Sequence, residues 1–434
     1  MTQFVQSPAL EPTPVVVPTP ADLQSRVGGA IARLPILAPF GSRSYALLWG
    51  GNAVSLAGDQ FQVVALAVLA LDLTGSTAVL GAVLGAQAIP RALLMLVGGV
   101  AADRFRPRTV MLAANLLQAV AVALLAVALG AGALATWQLY AYAIASGTLL
   151  AFSVPASQAL VPLLVPRERL RSANALNSLN FNLAATVFPP LAGLLVARLG
   201  AFPAFALDAL SFFIVALALA AIRPQDAPRA AASISPLRQL RDGIAAARAD
   251  RVVWIAIWVA AGFSLGFGGA SAVGLPALAK LDLHAGTEGV GILYGAAGAG
   301  AVAGAIALGS LSHLPRQGLA AGIVLLGLGV ALTFVAAAPS IAVAVPFLVL
   351  SGLMRAGCAN VYITLVQSRA QPATRGRVMA LFMLGVNGLA PLSLALGGVI
   401  GAAFGPRALI ASGGIAITLA GLYALFSREF RRAE

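Results

Sequence analysis

The stretch GVAADRFRPR, residues 99–108, decides the fold of this chain. It places one carboxylate and three arginines between two long apolar segments, residues 77–102 and 109–130. Each segment can cross a bilayer as a helix, because about 20 apolar residues span roughly 30 Å. Short loops rich in arginine stay on the cytoplasmic side of a membrane. The stretch therefore predicts a cytoplasmic loop between two membrane-spanning helices.

The composition of the whole chain also indicates a membrane protein. Of the 434 residues, 60% are hydrophobic and only 9% are charged, and the mean hydropathy is +0.94. A soluble domain has about 25% charged residues. The length accommodates about twelve spans of roughly 20 to 27 residues with short loops between them. The predicted spans are 45–70, 77–100, 109–130, 136–160, 173–199, 202–222, 252–279, 286–311, 318–337, 340–367, 378–402 and 406–427.

The formal net charge of +13 is unevenly distributed along these spans. Three basic residues, Arg198, Lys280 and Arg407, fall in loops on the outer side, and Arg91 and Arg355 fall inside spans. All other basic residues fall in loops and tails on the inner side. This distribution orients a membrane protein with both termini in the cytoplasm, and it argues against a nucleic-acid partner.

The sequence offers little to a metal ion or a catalytic reaction. Cys358 is the only cysteine, which excludes an intrachain disulfide, and His284 and His313 fall in different loops. A phosphate-binding P-loop needs Gly-Lys-Ser/Thr, and the only lysine, Lys280, follows alanine. We therefore expect no cofactor, no metal and no enzymatic activity.

The two predicted sets of six spans repeat each other. At a constant offset, Gly81, Gly85, Gly99, Asp103 and Arg106 correspond to Gly291, Gly295, Gly309, His313 and Arg316. Internal repeats are typical of transporters, whose substrate site lies between the repeats. We expect an all-α integral membrane fold with twelve transmembrane helices in two pseudo-symmetric six-helix bundles.

The domain boundaries follow from this pattern. Residues 1–42, rich in proline, predict a disordered or weakly ordered cytoplasmic tail. The N-terminal bundle covers 43–222 and the C-terminal bundle covers 251–428. Between them, 223–250 predicts a cytoplasmic linker with an amphipathic helix that starts at Ser235 and Pro236, and 429–434 forms a second cytoplasmic tail.

Several motifs resemble the major facilitator superfamily, whose loop between helices 2 and 3 reads G-x-x-x-D-R-x-G-R-R/K. Here Arg106 and Pro107 stand where the commoner pattern has Gly and Arg. The variant, with LTGS at 73–76, ANAL at 173–176 and RGR at 375–377, resembles the drug:proton antiporter-3 branch, which includes macrolide and siderophore exporters. The resemblance covers roughly residues 43 to 428.

The resemblance implies a role for the loop at residues 99–108. By that likeness Gly99, Asp103, Arg104 and Arg108 join the cytoplasmic ends of the two bundles through charge pairs and helix-end contacts. These contacts must break when the transporter opens inward, so the motif acts as a cytoplasmic gate. A purely topological role for the charges is the alternative.

The first span carries the candidate for proton coupling. Asn52, Ser55, Asp59 and Gln62 are spaced so that all four lie along one helical face, which we expect to look into a cavity. Asp59 lies near mid-span, where a carboxylate is by default a functional hypothesis, and a desolvated carboxyl can carry a proton. The alternative is a packing carboxylate that a neighbouring arginine or amide satisfies.

Other polar positions are candidates for the substrate cavity. Ser178 and Asn182 lie on one face of helix 5 and Asn360 on a polar face of helix 10, although links between helices are the alternative. Arg355 is a counter-charge to Asp59, a counter-charge to an anionic substrate, or a structural anchor. For Arg91 and Asp208 we favour structural roles. The aromatic residues of helix 7 are candidates for an aromatic wall: Trp254, Trp258, Phe263 and Phe267. For the two tryptophans, an interfacial belt or plain packing is the alternative.

We interpret the chain as a secondary active transporter that exports amphipathic small molecules of the drug or antibiotic type by alternating access. Protons, the lipid bilayer and a small-molecule substrate are the expected partners, in a bacterial cytoplasmic (inner) membrane, and we expect a monomer. One alternative is a dedicated exporter of one metabolite such as a siderophore. A transport-dead membrane sensor or an integral-membrane enzyme is the alternative from a different class.

Overall fold

The structure, a computed structural model, describes residues 35–222, 236–309, 316–371 and 374–433, without the side chains of 236–240, 242, 308–309 and 359–360. Every regular element among the described residues is helical. In the part of the chain that the structure describes, eleven helices are long and apolar enough to cross a membrane. The last, Arg375–Phe426, has 52 residues, about twice the length that one span needs. It is interrupted at Gly405, whose φ of 85° and ψ of 166° are not helical, so it forms two spans.

The prediction of twelve spans is therefore confirmed, and we number them α1 to α12. Their bounds are α1 Arg43–Thr74, α2 Thr77–Arg104, α3 Pro107–Gly130, α4 Thr136–Leu160, α5 Leu170–Leu199, α6 Ala201–Ala221, α7 Arg251–Asp282, α8 Gly286–Gly309, α9 Gln317–Ala337, α10 Ile341–Arg369, α11 Arg375–Asn387 with 390–404, and α12 406–426. A linker helix, Pro236–Ala249, precedes α7.

Local sequence signals set several of the helix starts. Ser42 accepts a hydrogen bond from the Tyr45 backbone N–H at the start of α1. Asp250 accepts from the N–H groups of Val252 and Val253, at 2.8 and 3.2 Å, at the start of α7. A side chain that accepts from the first free N–H groups of a helix stabilises that end. Polar residues before long apolar runs thus fix where the spans begin.

The twelve helices form two halves, α1–α6 and α7–α12, that share one hydrophobic core at one end only. That shared core includes Leu66 and Phe205 from the first half and Leu278 and Leu293 from the second. We call this the closed end; it holds the turns at 75–76, 131–135 and 283–285. At the other end, each half has a separate core of its own. We call this the basic end, since the loop at 105–106 lies there, and the space between the halves is a cleft that opens toward it.

Glycine pairs bring the halves into direct backbone contact at the closed end. A Cβ added to Gly398 on α11 would lie 2.9 Å from the Cα of Gly81 on α2. A Cβ added to Gly291 on α8 would lie 2.8 Å from the Cα of Gly193 on α5. Contacts this short exclude any side chain, so small residues let the helices approach closely. The two contacts are related by the internal repeat, because Gly81 corresponds to Gly291.

Ion pairs reinforce the same end. Arg198 Nε lies 3.2 Å from Glu288 Oε1, and Lys280 pairs with Asp72, so both pairs join the two halves. Arg407, the third basic residue predicted on the outer side, pairs with a carboxylate of its own half at 3.1 Å. At the basic end, the ion pairs among described residues lie within the second half. The electrostatic links between the halves are thus concentrated at the closed end.

Parts of the predicted tails and of the linker are among the described residues. Residues 1–34 and 223–235, with the Ser235 cap, and His313 lie outside the described residues. The 3₁₀-helix Pro35–Gly41 places Phe40 against the ring of Trp49, with centroids 5.1 Å apart. Phe430 is fully buried, so the described part of the predicted tail at 429–434, residues 429–433, packs against the second half. The helix break at residues 388–389 inside α11 was not predicted.

Candidate functional site

Arg355 on α10 lies where two cavities meet. The central cavity, about 180 Å³, lies between the halves and is lined by Gln60, Val63 and Val64 of α1 as well as by the second half. The side cavity, about 410 Å³, lies within the second half among α7, α9, α10 and α11. Arg355 and Phe267 line both cavities. The sequence-predicted cavity residue Arg355 is thus placed at the centre of the molecule.

The side cavity is mostly apolar. Phe263 and Phe267 stack with ring centroids 5.1 Å apart and planes at 15°, and Phe382 and Met383 of α11 form another wall. An apolar cavity with a few polar groups is the usual form of a small-molecule site. Of the four aromatic residues that the sequence suggested for a wall in α7, Phe263 and Phe267 line this cavity, whereas Trp254 and Trp258 line neither cavity. The remaining lining residues are Val259, Ala260, Ser264, Gly268, Leu325, Arg355, Cys358, Tyr362, Ile363, Val386, Asn387 and Ala390.

Two hydroxyl groups in the side cavity have no hydrogen-bond partner among the described residues. Ser264 and Tyr362 are buried, at 3% and 5% exposure, and their oxygens are unpaired. Buried polar groups are normally satisfied, so each unpaired group requires an explanation. Asn387, the last residue before the break in α11, also lines the cavity, and its side chain donates to Met383 O at 3.2 Å.

Helix α5 turns a polar stripe toward the cleft. Ala185 and Pro189 line the central cavity, and Ser178 and Asn182 lie on the same helical face closer to the basic end. Both polar residues are exposed, and the Asn182 side chain donates to Ser178 O at 2.8 Å. These two predicted cavity residues line neither cavity; they lie on the same face of α5 as Ala185 and Pro189, toward the basic end. The side chain of Asn360 lies outside the described residues.

Helix α1 is rotated differently from the sequence-based expectation. The cleft face of α1 is formed by Gln60, Val63 and Val64. None of the four predicted residues, Asn52, Ser55, Asp59 and Gln62, lines either cavity; Ser55 and Gln62 are buried and the other two are partly buried. The rotation follows from Gly58, which has no Cβ and therefore lets this face of α1 approach α6 closely. A Cβ at Gly58 would lie only 2.7 Å from Asp208 Oδ1 on α6.

Asp59 instead belongs to a polar cluster inside the first half. Asp208 on α6, fully buried, and Arg91 on α2 both lie near enough to interact electrostatically with Asp59. Ser211 donates to Asp208 O at 2.7 Å, but Asp208 Oδ2 has no partner among the described residues. Arg91 is exposed and makes no ion pair with described residues. Two carboxylates thus share one region with a single cation nearby.

Amide and hydroxyl groups extend this cluster toward α3 and α4. Ser146 Oγ accepts from Gln118 Nε2 at 2.7 Å and from Gln87 Nε2 at 3.0 Å. Tyr142, one turn before Ser146, is 5% exposed and interacts electrostatically with both carboxylates. Buried networks of this type rigidify a bundle, and unpaired members are candidates for function.

The loop at residues 99–108 lies at the basic end of the first half. Arg108 donates to Leu219 O at 2.6 Å and to Ala220 O at 2.7 Å, which caps the last carbonyls of α6. Asp103 and Arg104 are exposed, and neither pairs with a described residue. A Cβ at Gly99 would meet nothing within 4 Å. With the cleft open at this end, the motif holds α3 to α6 and makes no ion pair with the second half among the described residues.

Comparison with known proteins agrees with this architecture. Residues 35–433 match the family described as "Transmembrane secretion effector". The chain belongs to this family of major facilitator transporters. It is a multi-pass membrane transporter and not an enzyme.

Relatives in the family are named as exporters. The chain is 31% identical over 346 residues to "Enterobactin exporter EntS" of Shigella boydii serotype 18, which covers 78% of this chain and 80% of the relative. It is 30% identical over 375 residues to "Enterobactin exporter EntS" of Citrobacter koseri, covering 84% of each. The predicted resemblance to a major facilitator exporter is confirmed.

Solved structures of other transporters share the fold. A bacterial homologue of the iron transporter ferroportin in an inward-facing state has a TM-score of 0.64 at 17% identity, covering 88% of this chain and 98% of that one. A bacterial homologue of the lysosomal transporter Spinster has a TM-score of 0.63 at 16% identity, covering 90% and 96%. At this identity the likeness establishes the major facilitator fold alone.

Several residues that line the central cavity and the side cavity were not predicted from the sequence. Gln60 follows Asp59 directly, and its position on the cleft face depends on how α1 is rotated. Tyr294 of α8 lines the central cavity and donates to Ser271 O on α7 at 3.2 Å. Ser264 and Tyr362 belong to no recognised sequence motif. The only signal for them was a shared helical face, of Ser264 with Phe267 on α7 and of Tyr362 with Arg355 on α10.

Proposed function

We propose that this protein exports an amphipathic small molecule from the bacterial cytoplasm in exchange for protons, by alternating access. One observation carries the proposal: the cleft between the halves, sealed at one end, leads to cavities lined by a cation and by aromatic side chains. A site at the repeat interface that is open to one side is what alternating access requires. One chain forms the whole cleft, which supports a monomer as the transporting unit.

The orientation follows from charge. The basic end carries the arginine-rich loops and both chain ends of the described structure, so it faces the cytoplasm under the positive-inside rule. The protein then lies in the bacterial inner membrane with its cleft open inward. A single cysteine at Gly132, in a Cys358→Ala background, should react with an impermeant thiol reagent from outside intact cells. A cysteine at Arg167 or Arg229 should be protected, and the opposite pattern would invert the topology.

Proton coupling is assigned to Asp59. Its neighbours are the carboxylate of Asp208 and the guanidinium of Arg91, so its charge state changes the energy of the whole cluster. A charged group at this depth is costly unless it is paired or reaches water. Alternation between a protonated form and a form paired with Arg91 would relieve that cost in each state.

The loop at residues 99–108 is assigned to gating. Asp103 and Arg104 are exposed in the open state, so they are free to pair with the second half when the basic end closes. Arg108 keeps its bonds inside the first half and maintains the loop position.

The function is tested with purified protein in liposomes under an imposed pH gradient. A panel of amphipathic compounds is screened for uptake into vesicles whose interior is acidic. Accumulation that collapses when a protonophore removes the gradient supports proton-coupled transport. Gradient-independent equilibration of the same compounds would show facilitated diffusion and contradict the coupling.

A dedicated siderophore exporter is the second candidate, because relatives that cover about four-fifths of this chain are named as enterobactin exporters. The same screen separates the candidates. A multidrug exporter should move several unrelated scaffolds at similar rates. A dedicated exporter should move one scaffold and leave the others unchanged.

A further inference from the structure

We propose that the side cavity binds the apolar body of an organic anion whose negative group pairs with Arg355, and that organic cations are excluded. The inference rests on the proposed export function, because it names the substrate class of the same cleft. Three features of the cavity carry it: a cation and two hydroxyl groups that have no partner among the described residues, and an apolar wall.

The charge of Arg355 is the first feature. No acidic side chain is among the described residues that line either cavity, and Arg355 makes no hydrogen bond or ion pair with a described residue. An arginine at this depth in a membrane needs a partner or a water-filled cavity. Asp59 does not supply the partner, because the charges that act on it are Arg91 and Asp208. An anionic ligand would complete the site, and a cationic ligand would be repelled.

The unpaired hydroxyl groups are the second feature. Ser264 and Tyr362 line the same cavity as Arg355, and their oxygens are buried without partners in the part of the chain that the structure describes. Leaving such groups unsatisfied is unfavourable, so a ligand oxygen that accepts from them is stabilised. Together with the guanidinium, they form a donor set suited to a carboxylate or a similar oxyanion.

The apolar wall is the third feature. The stacked rings of Phe263 and Phe267, with Phe382 and Met383 opposite, surround a volume of about 410 Å³. This volume falls in the range of about 300 to 1,000 Å³ that is typical of small-molecule pockets. Phe267 also lines the central cavity, so a ligand can extend from the side cavity into the cleft between the halves. The ligand is therefore amphipathic, with an aromatic or aliphatic body and one anionic group.

Equilibrium binding of three matched probes to the purified full-length protein, without any gradient, tests the inference. The probes are 2-naphthoate, its neutral amide 2-naphthamide, and 2-naphthylmethylammonium. Because a charged hydrogen-bonded pair in a desolvated site is stronger than a neutral one, naphthoate should bind about 10- to 100-fold more tightly than the amide. The ammonium probe should bind more weakly than the amide.

Variants assign the preference to Arg355. In Arg355→Gln the advantage of naphthoate over naphthamide should disappear while amide binding changes less than about threefold, and Arg355→Lys should keep most of the advantage. Arg171→Gln is the matched control, since Arg171, at the start of α5, is exposed and lines neither cavity, and it should bind all three probes as the wild type does. Tyr362→Phe should weaken naphthoate by about threefold to tenfold.

Two results would overturn the inference: equal or tighter binding of the ammonium probe by the wild type, or an anion preference that survives in Arg355→Gln. The wild-type ranking decides the question even if the Gln variant fails to fold. Proton-coupled transport is measured separately in liposomes, so loss of coupling leaves the binding result standing, and loss of anion preference leaves the transport result standing.

Discussion

The two halves of the molecule have the same number of helices, but the charged side chains inside them have opposite signs. In the first half, Asp59 and Asp208 lie in a network of amides and hydroxyls among α1, α2, α4 and α6. In the second half, Arg355 is a cation at the edge of an apolar cavity. The internal repeat therefore fixes where the helices lie and leaves the chemistry of each half free to diverge. In the proposed mechanism, the first half holds the proton and the second half holds the substrate.

The packing between the two halves also differs from one end of the molecule to the other. The halves meet through glycine contacts and ion pairs at the closed end, and they keep separate cores at the basic end. Any movement that opens the closed end must separate Gly81 from Gly398 and Gly193 from Gly291. Because these contacts involve backbone atoms, they define a discrete closed state and not a continuously adjustable one.

The largest expected effect comes from Asp59→Asn. Uphill export should fall by more than about tenfold, because the amide cannot exchange a proton at this depth. Binding of 2-naphthoate should remain within about threefold of the wild type, because Asp59 lines neither cavity. Liposome accumulation and equilibrium binding measure the two quantities. Asp59→Glu, which keeps the carboxylate, is the control and should retain part of the uphill export.

Full pH-driven accumulation by a well-folded Asp59→Asn protein would contradict the assignment of different roles to the two halves, because Asp59 in the first half would then not be needed for proton coupling. Loss of both accumulation and binding would likewise show that Asp59 acts at the substrate.

A smaller effect is expected from Gly81→Ala. Its Cβ would meet the backbone of Gly398, and overpacking of this kind costs about 1 to 3 kcal/mol. The closed end should open more readily, so a reporter cysteine there should react several-fold faster with an impermeant reagent. Gly85→Ala, one turn further along α2, is the matched control, because its Cβ would meet nothing within 4 Å. Equal reactivity of the two variants would mean that this glycine contact does not hold the halves together.

Asp103→Asn should have a more modest effect that is confined to kinetics. Exposed ion pairs contribute about 0 to 1 kcal/mol, so weaker closure of the basic end should slow export by about twofold to fivefold. Binding of 2-naphthoate and thermal stability should not change, because Asp103 has no ion-pair partner among the described residues in this state. Arg108→Gln should instead lower the melting temperature, because it removes the bonds to Leu219 and Ala220. A fall in affinity for Asp103→Asn at normal rates would contradict a gating role.

The smallest effect is expected from Asp208→Asn, measured by thermal unfolding in detergent. Asp208 Oδ2 is buried with no hydrogen-bond partner among the described residues, and a second carboxylate is nearby, so the neutral amide should raise the melting temperature by about 2 °C. The increase should shrink in an Asp59→Asn background, because the neighbouring carboxylate is then absent. A large decrease in both backgrounds would make Asp208 a structural residue, as its sequence position alone suggested.

The sequence by itself determined the fold class. Apolar runs of the right length, polar caps such as Ser42 and Asp250, and the arginine-rich loop at 99–108 define twelve spans, because span length and helix capping depend on residues close together in the chain. The break at residues 388–389 does have a local signal, because Asn387 and Gly388 form a turn dipeptide and Pro391 cannot donate a helical hydrogen bond. That signal does not decide the matter, since Pro346 lies inside the unbroken helix α10. Family membership was also predictable, because the motifs that carry it are local.

Only the tertiary structure decided which faces of the helices form the site. The sequence grouped Asp59 with Asn52, Ser55 and Gln62 on one face, which is correct as a periodicity, but it could not tell what that face meets. The close approach of Gly58 to Asp208, between residues 150 positions apart in the chain, rotates α1 so that Gln60 and Val63 line the cleft. For the same reason the choice among the partners of Arg355 required the structure. The rotation of a helix about its axis is set by packing against segments that are distant in the chain. The residue pattern of that helix alone therefore cannot predict its rotation.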